Sequence, residues 1–439
     1  MSSAQRGLVS LVAAVLVCGA FIFTAGYQSL RVGLVVVAVG LAGFAALARR
    51  TTEPSASFEM PRRWMIIMIL AGFLVFLVNL GRFGVIGSAP AGLFYWGSAV
   101  LMFGCAVAYA LGYARDWAWF GFLVLYAIIL FGLILEIIPH GILTDVQVFQ
   151  RDASVALLRG TNPFDITFID IYPPASSAKF YAPGLSVGGV LQFGYPYFPL
   201  SLLVIAPFEA LADFRIAHAL AVIVTAHLMA RLSPGRHSTL AAMLFLLMSP
   251  AADAARIGWT DPLVLLALVG VVAVACHRSA LSSAAAGLLF AVKQYTVFLV
   301  VPSLLLIERP WRFRSVARHL GIAGGVFVAI TLPFVLWDPA AFWNSVVRLQ
   351  FIQPFRPDSI AIPALVADWW TTLPPLVSVG APFFAVAAAS VAVAMRTPTG
   401  PQGFALASAF VLLVSYVTSK QAFVNYYYVA IGALFVGFA

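Results

Sequence analysis

Long apolar runs separated by short, arginine-bearing stretches set the pattern of this chain. A helix that crosses a bilayer needs roughly 20 apolar residues, with a range of ~17 to 25. Applied along the chain, that length gives spans at 7–25, 32–48, 64–81, 91–112 and 117–138. After a long polar interval it gives 215–232, 238–255, 260–277, 320–337, 374–395, 402–418 and 422–439. The stretch 281–307 is too long for one span and Lys293 interrupts it, so it predicts two half-length helices, 281–292 and 295–307, that enter and return. The segment 199–211 is too short to span and predicts a helix lying in the interface. The pattern is that of an all-α polytopic membrane protein with about 12–14 transmembrane helices.

Two intervals break the alternation, 139–214 and 338–373. Loops this long in a compact chain are functional or disordered, and the aromatic content here argues against disorder. The first interval carries Val146, Phe149, Ala153 and Leu157 at helical spacing, which predicts a short helix on the membrane surface. Gly160, followed by Asn162 and Pro163, is an ordinary helix stop. Beyond it, YPPASSAKFYAPG and FGYPYFPL carry prolines that forbid a continuous helix. Their tyrosines, Tyr172, Tyr181, Tyr195 and Tyr197, suit a membrane–water boundary. No internal repeat is visible.

Composition agrees: 62% of the residues are hydrophobic and 9% charged, far from the quarter charged of soluble domains. The net charge of +9 needs no nucleic-acid partner, because most of the arginines fall in short loops where the positive-inside rule accounts for them. Arg49, Arg50, Arg62, Arg63, Arg115, Arg231, Arg236, Arg278, Arg309, Arg312, Arg314, Arg318 and Arg396 all land on one side. That side is expected to be cytoplasmic, with both termini inside and 139–214 and 338–373 outside. The N-terminus imitates a signal peptide, but its apolar run is longer than an h-region and is expected to stay as the first helix. The three cysteines, Cys18, Cys105 and Cys276, lie in apolar runs without metal-ligand spacing.

Candidate chemistry collects at the outer side. Asp145 stands where a spanning helix ends and the first outer loop begins. It reads either as a helix N-cap or as a general base, a role worth ~10² to 10⁴ in rate. Asp152 lies two turns further on the same face and reads as a partner of Arg151 or Arg159, or as part of a pocket. Lys293 sits among apolar residues, where a charge costs ~2.5 to 3.5 kcal/mol, so it should face a polar cavity or a partner unless it snorkels. Arg256 and Asp261 read as a structural ion pair or as site residues, with Asp253 just before them. RLQFIQPFRPDS offers Gln353 and Arg356, and TSKQAFVNYYY offers Lys420, Asn425 and Tyr426. Cations kept outside against the positive-inside trend suggest a bound anion, and a phosphate is the economical one.

The Asp145-led DVQVFQRDASVALLRGTNPF, then YPYFPLSLLVIAPFEAL, AVKQYTVFLVVPSLLL, RPDS and the terminal NYYY resemble the GT-C superfamily of polyprenyl-phosphate-sugar-dependent glycosyltransferases. The closest resemblance is to glycosyltransferase family 87, a bacterial mannosyltransferase-like group. It covers 114–439 as a catalytic transmembrane module and leaves 1–113 as accessory helices. The resemblance implies transfer of a sugar, mannose first, from a polyprenyl-phosphate donor to a lipid or glycan hydroxyl, with inversion, at the outer face of a bacterial plasma membrane. It implies Asp145 as base, and Lys293, Arg356 and Lys420 at the donor phosphate. Asp152, Tyr195, Arg256, Asp261, Gln294, Gln353, Asn425 and Tyr426 complete the candidate pocket. No cofactor is implied, and no metal is expected, since no closely spaced acidic pair is present and the cations can neutralise the phosphate. The rival readings are a lipid or sugar transporter, or flippase, and a non-catalytic partner in envelope polysaccharide synthesis.

Overall fold

The computed structural model describes residues 1–22, 28–49, 60–82, 89–141, 144–277, 281–367 and 380–439. Five long helices open the chain: α1 (Ser3–Ile22), α2 (Gln28–Leu47), α3 (Arg62–Arg82), α4 (Ala89–Leu111) and α5 (Arg115–Ile137). The first outer loop contains α6 (Asp145–Leu158), α7 (Pro174–Phe180) and three two-residue strands, β1 (Phe168–Ile169), β2 (Ser186–Val187) and β3 (Val190–Leu191). Then come α8 (Pro199–Leu211), α9 (Arg215–Ala230), α10 (Arg236–Met248), α11 (Ala251–Ile257), α12 (Asp261–Cys276) and α13 (Ser282–Phe290). A 3-10 turn (Gln294–Leu299) leads into α14 (Val300–Ser303) and α15 (Phe313–Trp337). The second outer loop holds α16 (Pro339–Phe342), a π-turn (Trp343–Arg348), α17 (Leu349–Ile352) and α18 (Ile362–Val366). The chain closes with α19 (Ala381–Arg396), α20 (Pro401–Thr418) and α21 (Val424–Phe438).

The protein is an all-α polytopic membrane protein. Among the described residues, 7 helices are long and apolar enough to cross a bilayer. The 16-residue α9, α12 and α19 reach ~24 Å at 1.5 Å per residue, short of the ~30 Å hydrocarbon layer. Their shortness goes with burial inside the bundle for α12, whose apolar residues run all round the helix. The same holds for α21, buried from Tyr427 to Phe438. By contrast α15 buries only His319, Ala323, Thr331 and Phe334 and turns the rest outward.

Helices of the 1–113 region share one apolar core with the remainder. The α1–α2 pair packs on α20 and α21, while α3 packs on α10 and α4 packs on α5. The ends that sequence groups by positive charge are grouped by contact. The Arg6 guanidinium donates to the carbonyls of Ala45 at 2.7 Å, Ala46 at 3.2 Å and Ala48, and Ser238 Oγ donates to the Ala439 carbonyl at 3.0 Å. At the opposite end the Gln28 amide reaches the Pro357 and Ser359 carbonyls at 2.8 and 3.0 Å.

One expected span is corrected. The run 238–255 is not a single helix but α10 and α11, bent by 57°. Ser249 is extended there and Pro250 has no N–H to continue the ladder. The stretch around Lys293 is broken as expected: α13 and the 3-10 turn that leads into α14 are two arms meeting at residues 291–293, and the second arm, 294–306, is 3-10 except for the single turn of α14. His319 of α15 ties the arms together, with Nδ1 2.9 Å from Ser283 Oγ and Nε2 3.0 Å from Ser303 Oγ. Of the 374–395 span, the part before residue 380 lies outside the described residues, as does the end of the second outer loop.

Candidate functional site

Helix α6 begins at Asp145 and buries Val148, Phe149 and Ala153 together with Gln147, Gln150 and Ser154. The buried Gln150 anchors it, with its Oε1 2.7 Å from His218 Nε2 on α9 and its amide donating to the Gly258 carbonyl after α11. Thr144 occupies the N-cap position without a side-chain bond, and Asp145 follows in the first turn. The aspartate's Oδ1 accepts the Val146 N–H at 2.8 Å and its Oδ2 accepts the Tyr181 hydroxyl at 2.8 Å. Burial pushes the Asp145 carboxyl above the ordinary carboxylate range; the Tyr181 hydroxyl, the Val146 N–H and the Arg356 charge pull it only partly back.

Tyr181 reaches Asp145 because the loop between them is folded. Gly188 and Gly189, at φ 59° and 78°, make a two-residue turn between β2 and β3, the geometry of a tight hairpin. The strand order is β1-β3-β2, with Phe168 opposite Leu191 and Ser186 opposite the same residue. Asp170 gathers the loop: its carboxylate accepts Ser177 Oγ at 2.5 Å, Ser186 Oγ at 2.6 Å and the Tyr172 N–H at 3.0 Å. Burial alone would raise its pKa, but the two hydroxyls and the N–H more than offset that and leave it lowered. Beneath lie Phe149, Phe168 and Phe193, with ring centroids 4.9 to 6.2 Å apart.

A second component comes from the second outer loop. The Arg356 guanidinium is paired with Asp358 through Nε at 2.8 Å and an Nη at 2.7 Å, and lies between the rings of Phe180 at 4.4 Å and Phe423 at 4.8 Å. Tyr172 extends the stack, parallel to Phe180 at 3.8 Å. Three separated stretches are therefore clasped around one cation, and that cation acts on the Asp145 carboxylate.

The third component is buried. Lys293, at the tip of the broken pair, places its ammonium 2.9 and 3.1 Å from the two oxygens of Asp261, which starts α12 and is fully buried. Tyr295 donates to the same carboxylate at 2.6 Å and Asn425 at 3.4 Å. The rings of Tyr197, Tyr295 and Tyr426 stand 5.1 to 5.4 Å from the ammonium. Tyr197 and Tyr426 also feel the Asp145 charge, which joins this buried pair to the loop site.

Geometry corrects one expected pair and gives the other candidates their partners, Asp152 meeting Arg151 as expected. Arg256 pairs not with Asp261 but with Asp253 at 3.1 Å, one turn back on α11. Asp152 forms a surface pair with Arg151 at 2.8 Å. The hydroxyl of Tyr195 lies 2.9 Å from that of Ser201. Gln294 ties the Pro196 and Val346 carbonyls at 2.7 and 3.1 Å. Lys420 donates to the carbonyls of Phe351 and Gln353 at 2.8 and 2.6 Å, closing the end of α17, and burial brings its ammonium down to about 8. The Gln353 contact is thus made by its backbone, while its Oε1 is buried without a partner. Asp145, Arg356, Lys293, Asp261, Asn425 and Tyr426 lie in one region. Tyr172, Tyr181, Tyr197 and Tyr295 are the residues that sequence reasoning missed. Among the described residues no three His, Cys, Asp or Glu side chains converge as a metal site. One cavity of about 170 Å³ lies against Ser3, Arg6 and Gly400, and another of about 400 Å³ lies between Cys276, at the far end of α12, and Gly400.

The family model described as glycosyltransferase family 87 matches residues 195–416. The chain belongs to glycosyltransferase family 87. It is a membrane glycosyltransferase of GT-C type, which places it among enzymes rather than transporters. The family 87 stretch includes Asp261, Lys293 and Arg356 and begins after Asp145 and Tyr181. No curated protein and no solved structure matches the chain.

Proposed function

We propose that this glycosyltransferase moves a sugar, mannose as the first assignment, from a polyprenyl-phosphate donor to a lipid or glycan hydroxyl on the extracytoplasmic face. Asp145 takes the proton of the acceptor hydroxyl as its oxygen attacks the anomeric carbon. The bond from that carbon to the phosphate oxygen breaks on the opposite side, and the configuration inverts. Polyprenyl phosphate leaves with the electron pair, and the Arg356 guanidinium stabilises the charge that develops on it. Lys293 is held by the fully buried Asp261 and Lys420 by carbonyls, whereas the partner of Arg356, Asp358, is exposed and takes only Nε and one Nη, so Arg356 is the cation best suited to the phosphate. No metal or cofactor is invoked. The placement outside rests on the arginine bias at the opposite end of the bundle.

The observation that carries the reading is a partly buried carboxylate, held through both oxygens and raised in pKa, beside an aromatic-clasped arginine. A base so poised loses activity as pH falls through its raised pKa, so the acid limb lies above the usual ~3.9 of aspartate. Transfer of radiolabelled mannose from polyprenyl-phosphate-mannose to a membrane lipid extract, by purified wild type and Asp145→Asn, is the test. The expected loss is at least a hundredfold, on the order of general-base catalysis. Transfer by the variant at the wild-type rate would return Asp145 to a helix-end role.

A further inference from the structure

The whole of the first outer loop is braced toward one atom that the reaction above does not use, the Tyr181 hydroxyl. Its ring is 4% exposed and is held between Tyr172 and Phe193, both with centroids 6.1 Å away. The Tyr181 N–H donates to the Ser177 carbonyl at 2.9 Å at the end of α7. Ser177 is itself fixed by Asp170, which also holds Ser186 and the Tyr172 N–H. A chain of four restraints thus ends in one 2.8 Å bond to Asp145 Oδ2.

We propose that Tyr181 is the positioning residue of the transfer: its hydroxyl pins Asp145 Oδ2 while the Val146 N–H pins Oδ1, fixing the carboxylate plane and leaving one lone pair of each oxygen for the acceptor. The inference rests on Asp145 being the base. A carboxylate on a single χ2 bond swings freely unless both oxygens are held, because that torsion is broad. Misplacing a reacting group by about 1 Å can cost ~10²-fold. The phenol also favours the ionised carboxylate, since it donates to the charged oxygen. The other charged or titratable groups facing Asp145 are Tyr172 of the same loop, Arg356 of the second outer loop, Tyr197 and Tyr426 of α21. Tyr181 makes the 2.8 Å hydroxyl hydrogen bond to Asp145 Oδ2, and the Tyr172 hydroxyl also approaches Asp145.

The experiment is the pH–rate profile of mannose transfer for full-length wild type, Tyr181→Phe and Asp145→Asn in the same detergent. Tyr181→Phe keeps the ring contacts and removes one oxygen. Losing a donor to a charged acceptor should move the acid limb to higher pH by roughly one to two units, with a ~10-fold lower plateau and an unchanged KM for donor. A second variant, 3-fluorotyrosine at position 181, strengthens the donor and should move the limb the other way. Limbs that stay within a few tenths of a unit in both variants, while Asp145→Asn is inactive, overturn the role of Tyr181 and leave the base in place. Full transfer by Asp145→Asn overturns the base and this inference with it.

Discussion

Asp261→Asn tests the buried pair on which the site stands. The substitution removes the partner of an ammonium that is 5% exposed, leaving Lys293 with three aromatic faces and no anion. Breaking a buried pair from one side costs ~3–5 kcal/mol. At 1.36 kcal/mol per tenfold that lowers the folded-to-unfolded ratio by roughly a hundredfold to several thousandfold. Lys293→Met should cost less, because Tyr295 and Asn425 still donate to Asp261. The double variant Asp261→Leu with Lys293→Met replaces the pair by apolar groups of similar size. It should recover most of the loss, short only of the ~1–3 kcal/mol for the Tyr295 hydroxyl left without an acceptor. Denaturant titration of wild type, Asp261→Leu, Lys293→Met and the double variant in micelles, read by tryptophan fluorescence, gives the four corners of the cycle. If the single losses simply add in the double variant, the ammonium and carboxylate are not coupled and the description of this pair is wrong. The same double variant should transfer sugar within ~10-fold of wild type, since in the proposed reaction Lys293 holds the scaffold and not the phosphate.

Two further perturbations follow. Arg356→Lys keeps the charge but loses the two-point contact with Asp358 and the flat stack between Phe180 and Phe423; a loss of ~1.5–3 kcal/mol, or about 10- to 100-fold in kcat/KM, is expected in transfer kinetics. Gly194→Ala would put a Cβ 2.2 Å from the Phe164 carbonyl oxygen and break the Gly194 N–H to Ser345 Oγ bond of 2.8 Å; at least ~1–3 kcal/mol of destabilisation is expected in the same micelle titration.

Much of the bundle was legible because length and apolarity alone define a spanning helix. The fifth span, read as 117–138 and found as Arg115–Ile137, and the break at Lys293 could both be read that way. Pro250 also announced the bend inside 238–255, but the apolar run through it carried the stronger signal. Partners were less legible. Arg256 and Asp261 are close in sequence, yet Asp261 meets Lys293, 32 positions on, because the tip of the broken pair rises to the start of α12. The missed tyrosines share one cause: amphipathic rings near a bilayer surface give the same composition signal whether they line a boundary or a site. Likewise the glycine pair of the hairpin was present, but two-residue strands are too short to show the alternation that marks a strand.

The family 87 match begins at residue 195, so the proposed base and its phenol precede it while the proposed phosphate cation lies within it. In-line displacement needs these two on opposite sides of one anomeric carbon, at a separation fixed to a fraction of an ångström. Distant loops do not hold such a separation unless something spans them. Here the spanning element is a single peptide unit: Phe180 stacks on Arg356, and the next residue, Tyr181, donates to Asp145. The Asp170 hydroxyl cluster fixes the helix that ends in Phe180 and hands on to Tyr181. A shift of α7 therefore displaces the base and the cation together. Such coupling explains why a loop of little regular structure is built around the Asp170 carboxylate, which itself takes no part in the proposed transfer.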